Sequence, residues 1–140
     1  MAGYQQLLIA VDLSDDSPRV VMRGLEMAGS AKATLLHVVE FIPVDPAGEA
    51  LLPTPVNLES EVVSGARSRL DALAARFPQV ESRLEVGIIK VEILRIAAEL
   101  KADLLVLGSH ERHGLALLLG STEKAILHKA QCDVLAVHLG

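Results

Sequence analysis

The residues of this chain that can do chemistry gather where apolar runs end. Asp12 follows Leu7-Leu8-Ile9-Ala10-Val11, and Glu40 closes the run that contains Val38-Val39. Gly108-Ser109-His110 follows Asp103-Leu104-Leu105-Val106-Leu107, and Gly120-Ser121-Thr122 stands at the head of a helical stretch. The last two clusters say most. A helix N-terminus offers unpaired N–H groups and partial positive charge, so it draws phosphate-like anions. Gly108 and Gly120 let a main chain approach a ligand closely, and Ser121 and Thr122 add hydroxyl donors. A purely structural account also fits, in which Gly108 ends a strand, Gly120 makes a turn and Ser121 caps a helix. Spacing alone leaves both open.

Several other chemistries lack support. No G-x-G-x-x-G follows the first apolar run, and no G-x-x-x-x-G-K-[ST] occurs, which speaks against a dinucleotide site of that type and a P-loop. Ser121, a histidine and Asp12 do not make a hydrolase triad without a nucleophile elbow. His110 and His113, with Glu111 between them, have no third ligand fixed by spacing, so no metal site is assigned. His37 lies inside an apolar run and reads as a packed, hydrogen-bonded histidine. Cys132, the single cysteine, reads as a packing residue.

The elements that must position these clusters follow from hydrophobic patterning. Runs 7–11, 34–39 and 103–107 read as strands buried on both faces, and 83–86 alternates as a strand near a sheet edge. Ser17 as N-cap and Pro18 at the first helical position open a helix carrying Val21, Leu25 and Ala28. A long helix is expected over 57–77, with Val63, Ala66, Leu70, Leu73 and Phe77 as its stripe and Pro78 as its stop. Further helices are expected over 92–100 and from Ser121 to about Ala130. Residues 41–55, with four prolines, read as the longest and most mobile loop. Val134, Leu135, Ala136, Val137 and His138 form a last strand, expected at an edge and open to pairing.

Strands and helices thus alternate throughout, and right-handed crossovers place helices on both faces. The expected fold is α/β, one domain over 1–140: an open, doubly wound, five-stranded parallel sheet in three layers, Rossmann-like. Ligands in such sheets bind outside the carboxyl ends of the strands, where the strand order reverses.

Composition narrows the partners. A net charge of −5 and only three aromatic residues, Tyr4, Phe41 and Phe77, argue against nucleic acid. No apolar run approaches the roughly 18–20 residues that cross a bilayer, so no membrane partner is expected. The first six residues lack a basic n-region, and a cytoplasmic location is the expectation.

In Leu8-Ile9-Ala10-Val11-Asp12-Leu13-Ser14, Leu36-His37-Val38-Val39-Glu40, the 103–110 segment, Leu118-Leu119-Gly120-Ser121-Thr122 and Ala130-Gln131-Cys132-Asp133-Val134-Leu135-Ala136-Val137, the chain resembles the universal stress proteins of the single-domain bacterial type. The likeness spans essentially the full length. It implies the adenine nucleotide alpha hydrolase-like variety of this fold, a homodimer joined antiparallel through the last strand, and ATP, with magnesium, between the first and fourth strands. It would place Asp12 on the ribose side, Ala10, Val11 and Val38 around the base with Leu107 beside them, and Gly108, His110, Gly120, Ser121 and Thr122 at the phosphates.

The nucleotide-binding branch of that family carries G-x2-G-x9-G-[ST]. Here Glu111 stands at the second glycine, eight residues separate it from Gly120, and Arg112-His113-Gly114 follows. A carboxylate about 5 Å from a phosphate charge costs about 1–3 kcal/mol at effective dielectrics of about 20–80. That is about one to two orders of magnitude in affinity. The leading expectation is therefore an adenine-nucleotide sensor. The alternative is a nucleotide-independent interaction protein with a degenerate phosphate loop. A slow ATPase ranks last, since neither a general base nor a metal-binding carboxylate cluster is evident.

Overall fold

The computed structural model describes residues 3–40, 56–109 and 121–139. The expected loop at 41–55 and the loop that carries His110, Glu111, Arg112, Gly114 and Gly120 lie outside the described residues.

Nine elements alternate: β1 (Gln6–Ala10), α1 (Ser17–Ala28), β2 (Lys32–Glu40), α2 (Val56–Ala75), β3 (Val80–Gly87), α3 (Ile89–Glu99), β4 (Leu104–Ser109), α4 (Ser121–Lys129) and β5 (Asp133–His138). The strands form one five-stranded sheet in the order β3-β2-β1-β4-β5, with every pairing parallel. β1 is central: Leu8 is level with Thr34 of β2 on one side and Leu105 of β4 on the other. The chain steps outward through β2 and β3, then returns to the far side of β1 for β4 and β5. The strand order therefore reverses between β1 and β4.

Alternation along β1 divides the core in two. Leu7, Ile9 and Val11 join Val20, Val21, Leu70 and Leu73 beneath α1 and α2. Leu8 and Ala10 join Ile93, Ile96, Ala97 and Ile126 beneath α3 and α4. Both faces of the middle strands are covered, which is why they read as largely apolar runs. Leu7, Leu8 and Ile9 are fully buried, as are Leu35, Leu105 and Val106. At about 25 cal/mol per Å² such residues contribute about 1.5–3 kcal/mol each.

The sequence reading changes in several details. α1 starts at Ser17 itself, with Asp16 in the capping position and no side-chain cap. Ser17 therefore spends its hydroxyl elsewhere. Helix α3 starts at Ile89, nearly a turn before Glu92, because Ile88 and Val91 lie exposed and break the amphipathic pattern. α2 ends at Ala75, short of Phe77. β4 begins at Leu104, because the Asp103 carboxylate turns to accept the Gln5 and Gln6 amides, each at 2.9 Å. Those two donors hold the Asp103 carboxyl below its ordinary value. β4 also runs through Gly108 to Ser109, in register with Val137 and His138.

Candidate functional site

A crevice of about 210 Å³ opens at the carboxyl ends of β1 and β4, where the strand order reverses. Ala10, Val11 and Asp12 form its β1 side, and Leu107 and Gly108 its β4 side. Leu36, His37 and Val38 enter from β2, while Thr122, Glu123 and Ile126 bring the first turns of α4 to it. Ile89 and Ile93 of α3, Val20 of α1, and Leu139 complete the apolar lining. The fold thus brings together Ala10, Val11, Asp12, Val38, Leu107, Gly108 and Thr122. Ser121 is the first residue of α4.

The turn after β1 is built around Asp12. Its Oδ1 accepts the Ser14 amide at 2.9 Å and the Ser17 hydroxyl at 3.3 Å. Ser17 is buried, so this bond satisfies a hydroxyl that would otherwise be costly there. Between these partners Leu13 takes φ 61°, a left-handed conformation that costs a branched residue about 1–3 kcal/mol. The next residues enter α1, whose Ser17 also faces the crevice. Helices α1 and α4 therefore both start at the crevice and offer positive dipole ends to it.

Gly108 has a packing reason to be glycine, whatever approaches it from the crevice. A Cβ there would lie 2.7 Å from Leu139 Cδ1 and 3.1 Å from Val20 Cγ2. Leu139 is held in place by its amide, which donates to the Ser109 carbonyl at 3.0 Å. The missing side chain makes room for two of the crevice's own apolar walls. His37 is hydrogen-bonded as expected: its Nδ1 lies 2.8 Å from the Val11 carbonyl oxygen.

Patterning missed Ser17, Val20, Leu36, His37, Ile89, Ile93, Glu123, Ile126 and Leu139 as lining residues. Most read as ordinary core stripes, and Ser17 read as a helix cap. Hydroxyl placement five residues from a turn aspartate was the available signal for Ser17.

Cys132 lies away from this crevice, in a hollow with Tyr4, Ala102, Asp103 and Asp133 at the other end of the sheet. Burial, then the Asp133 and Asp103 carboxylates, push its thiol up, which disfavours the reactive thiolate. The Tyr4 hydroxyl donates to Asp133 Oδ2 at 2.7 Å and ties the start of the chain to β5. Among the described residues no group of three histidine, cysteine or carboxylate side chains could hold a metal. Nor is any helix among them long and apolar enough to cross a membrane.

A doubly wound parallel sheet with a crevice at its reversal point defines a class of ligand-binding α/β proteins. A model of the universal stress protein family matches residues 3–138, and the chain belongs to that family. It is 44% identical over 138 residues to universal stress protein A homolog 1 of Coxiella burnetii, covering 96% of each chain. The fold is similar to that of universal stress protein UspA from Lactobacillus plantarum, with a TM-score of 0.70 and 26% identity over 98% of this chain and 99% of that one. It is also similar to a universal stress protein crystallised in complex with cAMP, with a TM-score of 0.63 and 26% identity over 99% of this chain and 100% of that one.

Proposed function

We propose that this stress-response protein binds an adenine nucleotide, ATP with magnesium foremost, in the crevice between β1 and β4. It acts in the cytoplasm as a ligand-gated sensor and works as a homodimer joined through β5. The observation that carries the reading is the meeting of Asp12, an apolar slot from Ala10, Val11, Val38 and Leu107, and the first turns of α4 in one crevice. The slot suits a flat base and the carboxylate suits sugar hydroxyls. The α4 N-terminus suits phosphate. A relative solved with cAMP supports an adenine ligand class.

The oxygen donors of Asp12, Thr122 and Glu123 suit magnesium, which takes hard oxygen ligands and usually arrives with substrate phosphates. When bound it would offset phosphate charge beside the two carboxylates. Asp12 would orient the sugar, the apolar walls would keep water from the base, and the α4 amides would hold the phosphates.

Equilibrium titration with ATP and magnesium is expected to give a dissociation constant in the micromolar range or below. Absence of binding at millimolar ATP would sink the proposal and favour a nucleotide-independent interaction protein. Glu111→Gly is expected to tighten binding by about one to two orders of magnitude. Gly120→Val is expected to abolish it, by blocking phosphate approach.

A further inference from the structure

We propose that His37 is a positioning residue for the crevice: it clasps the Val11–Asp12 peptide and so sets the Asp12 carboxylate for recognition of a ribose hydroxyl. The proposal deepens the nucleotide reading and rests on it for the ligand.

The argument starts from proton placement. A carbonyl oxygen only accepts, so the 2.8 Å contact between His37 Nδ1 and the Val11 oxygen fixes the proton on Nδ1. The Val11 amide is held as well, donating to the Leu36 carbonyl at 2.9 Å. Both polar groups of Val11 are therefore bound by consecutive residues of β2, one residue beyond the end of β1. The peptide before Val11 is held by its N–H and the peptide leading into Asp12 by its carbonyl, so neither plane rotates while both bonds stand.

That restraint sits where the backbone needs it. Leu13 is held at φ 61°, and relaxing it would swing the residue before it. On the far side of Leu13, Ser14 and Ser17 grip Asp12 Oδ1. His37 supplies the matching grip on the near side. Its ring spans from β2 to the β1–α1 turn, a link between residues 26 apart in the chain. His37 itself lines the crevice. A histidine is not needed merely to fill a half-buried strand position next to Leu36 and Val38; a donor at the Nδ1 position is what the Val11 carbonyl requires.

Two variants separate this role from packing. His37→Phe keeps a ring but removes the donor, whereas His37→Asn places an amide N–H near the Nδ1 position. The first readout is amide hydrogen exchange without ligand. His37→Phe is expected to speed exchange at Val11 and Ser14 by at least about tenfold while leaving Leu105 of β4 unchanged, and His37→Asn to restore protection. Unchanged protection at Val11 and Ser14 in His37→Phe overturns the proposal. The second readout is the affinity ratio of ATP to 2′-deoxy-ATP. The wild type is expected to prefer ATP, His37→Phe to bring the ratio within about twofold of one, and His37→Asn to recover the preference. Weaker binding of both nucleotides with the preference intact overturns it. Should His37→Phe fail to fold, the wild type still decides. Its imidazole ¹⁵N spectrum must show Nδ1 protonated, and an unprotonated Nδ1 overturns the clasp. If the wild type binds neither nucleotide, the function reading and the ribose part of the proposal fall together. The exchange measurement then decides the clasp alone.

Discussion

The two edges of the sheet are built differently. At β3 the edge is laced with charge. Arg83 pairs with Glu85 at 2.9 Å and with Glu99 of α3, and Arg95 reaches Glu85, Glu92 and Glu99. Exposed pairs of this kind are worth about 0–1 kcal/mol apiece, so stability is a weak reason for five of them. A charged edge does repel a strand that would add to it. β5 carries Val134, Leu135, Ala136 and Val137, and among the described residues it makes no ion pair. A groove along it is shared with Asp16, Pro18, Arg19 and Met22 of the α1 end, and Met22 is 56% exposed. One margin of the sheet thus carries an ion-pair lattice on its own strand, whereas the other offers an apolar strand beside charged side chains of α1 and Arg76.

The contrast can be broken at β5 first. Ala136 is exposed near the middle of β5, and Ala136→Arg brings two like charges close together in a symmetric pairing centred on β5. The expected result is at least about a 100-fold weaker dimer by sedimentation, since opposed like charges cost several kcal/mol. An unchanged molecular mass distribution would remove β5 as the interface. Gly108→Val, on the strand beside β5, should come next. Its side chain collides with Leu139 and Val20, so urea unfolding should show a loss of about 1–3 kcal/mol, together with weaker ATP binding.

At β3, replacing Arg83 and Glu85 together with valine should change stability by no more than about 1 kcal/mol. It should also create a second mode of self-association, visible as species larger than the wild-type assembly. If no new species form, the charge lattice is not what keeps β3 unpaired. The smallest effect is acid dependence. Glu99 is held below its ordinary value, first by its hydrogen bond from Arg83. A depressed folded-state pKa stabilises above the unfolded value, and that stability is lost as pH falls through the folded value. Wild type should therefore lose a small increment over Arg83→Ala below about pH 4, and the difference should shrink in high salt. An increment that grows as pH falls would contradict the sign.

Much of this frame was legible in the chain, because burial on both faces leaves a plain signature. The middles of β1 and β4 are apolar without a break, β2 is interrupted only by Thr34 and His37 between its charged ends, and the charged alternation of Arg83-Leu84-Glu85-Val86 marked an edge. Asp12, Val38 and Gly108, which line the crevice, stood out because strand ends in such folds are where ligands sit. The partners of those residues were harder. The His37–Val11 bond links two elements, and neither residue's type announces the other. Ser17 matched a cap by type and position, yet it faces Asp12, since the burial that redirects it is tertiary. Gly108 was left between ligand access and a strand end, because Leu139, which fills the space beside it, lies 31 positions downstream.

The central place of β1 has a consequence for the making of the molecule. Its neighbour β2 follows within about 30 residues, but its other neighbour β4 emerges only about 100 residues later. At roughly 5–20 residues per second, the ribosome holds β1 with one flank bare for several seconds. Sequence-distant pairing of this sort also slows folding. A nascent chain interrupted before β4 would display Leu7 and Leu8 with half their cover missing and would have no crevice at all.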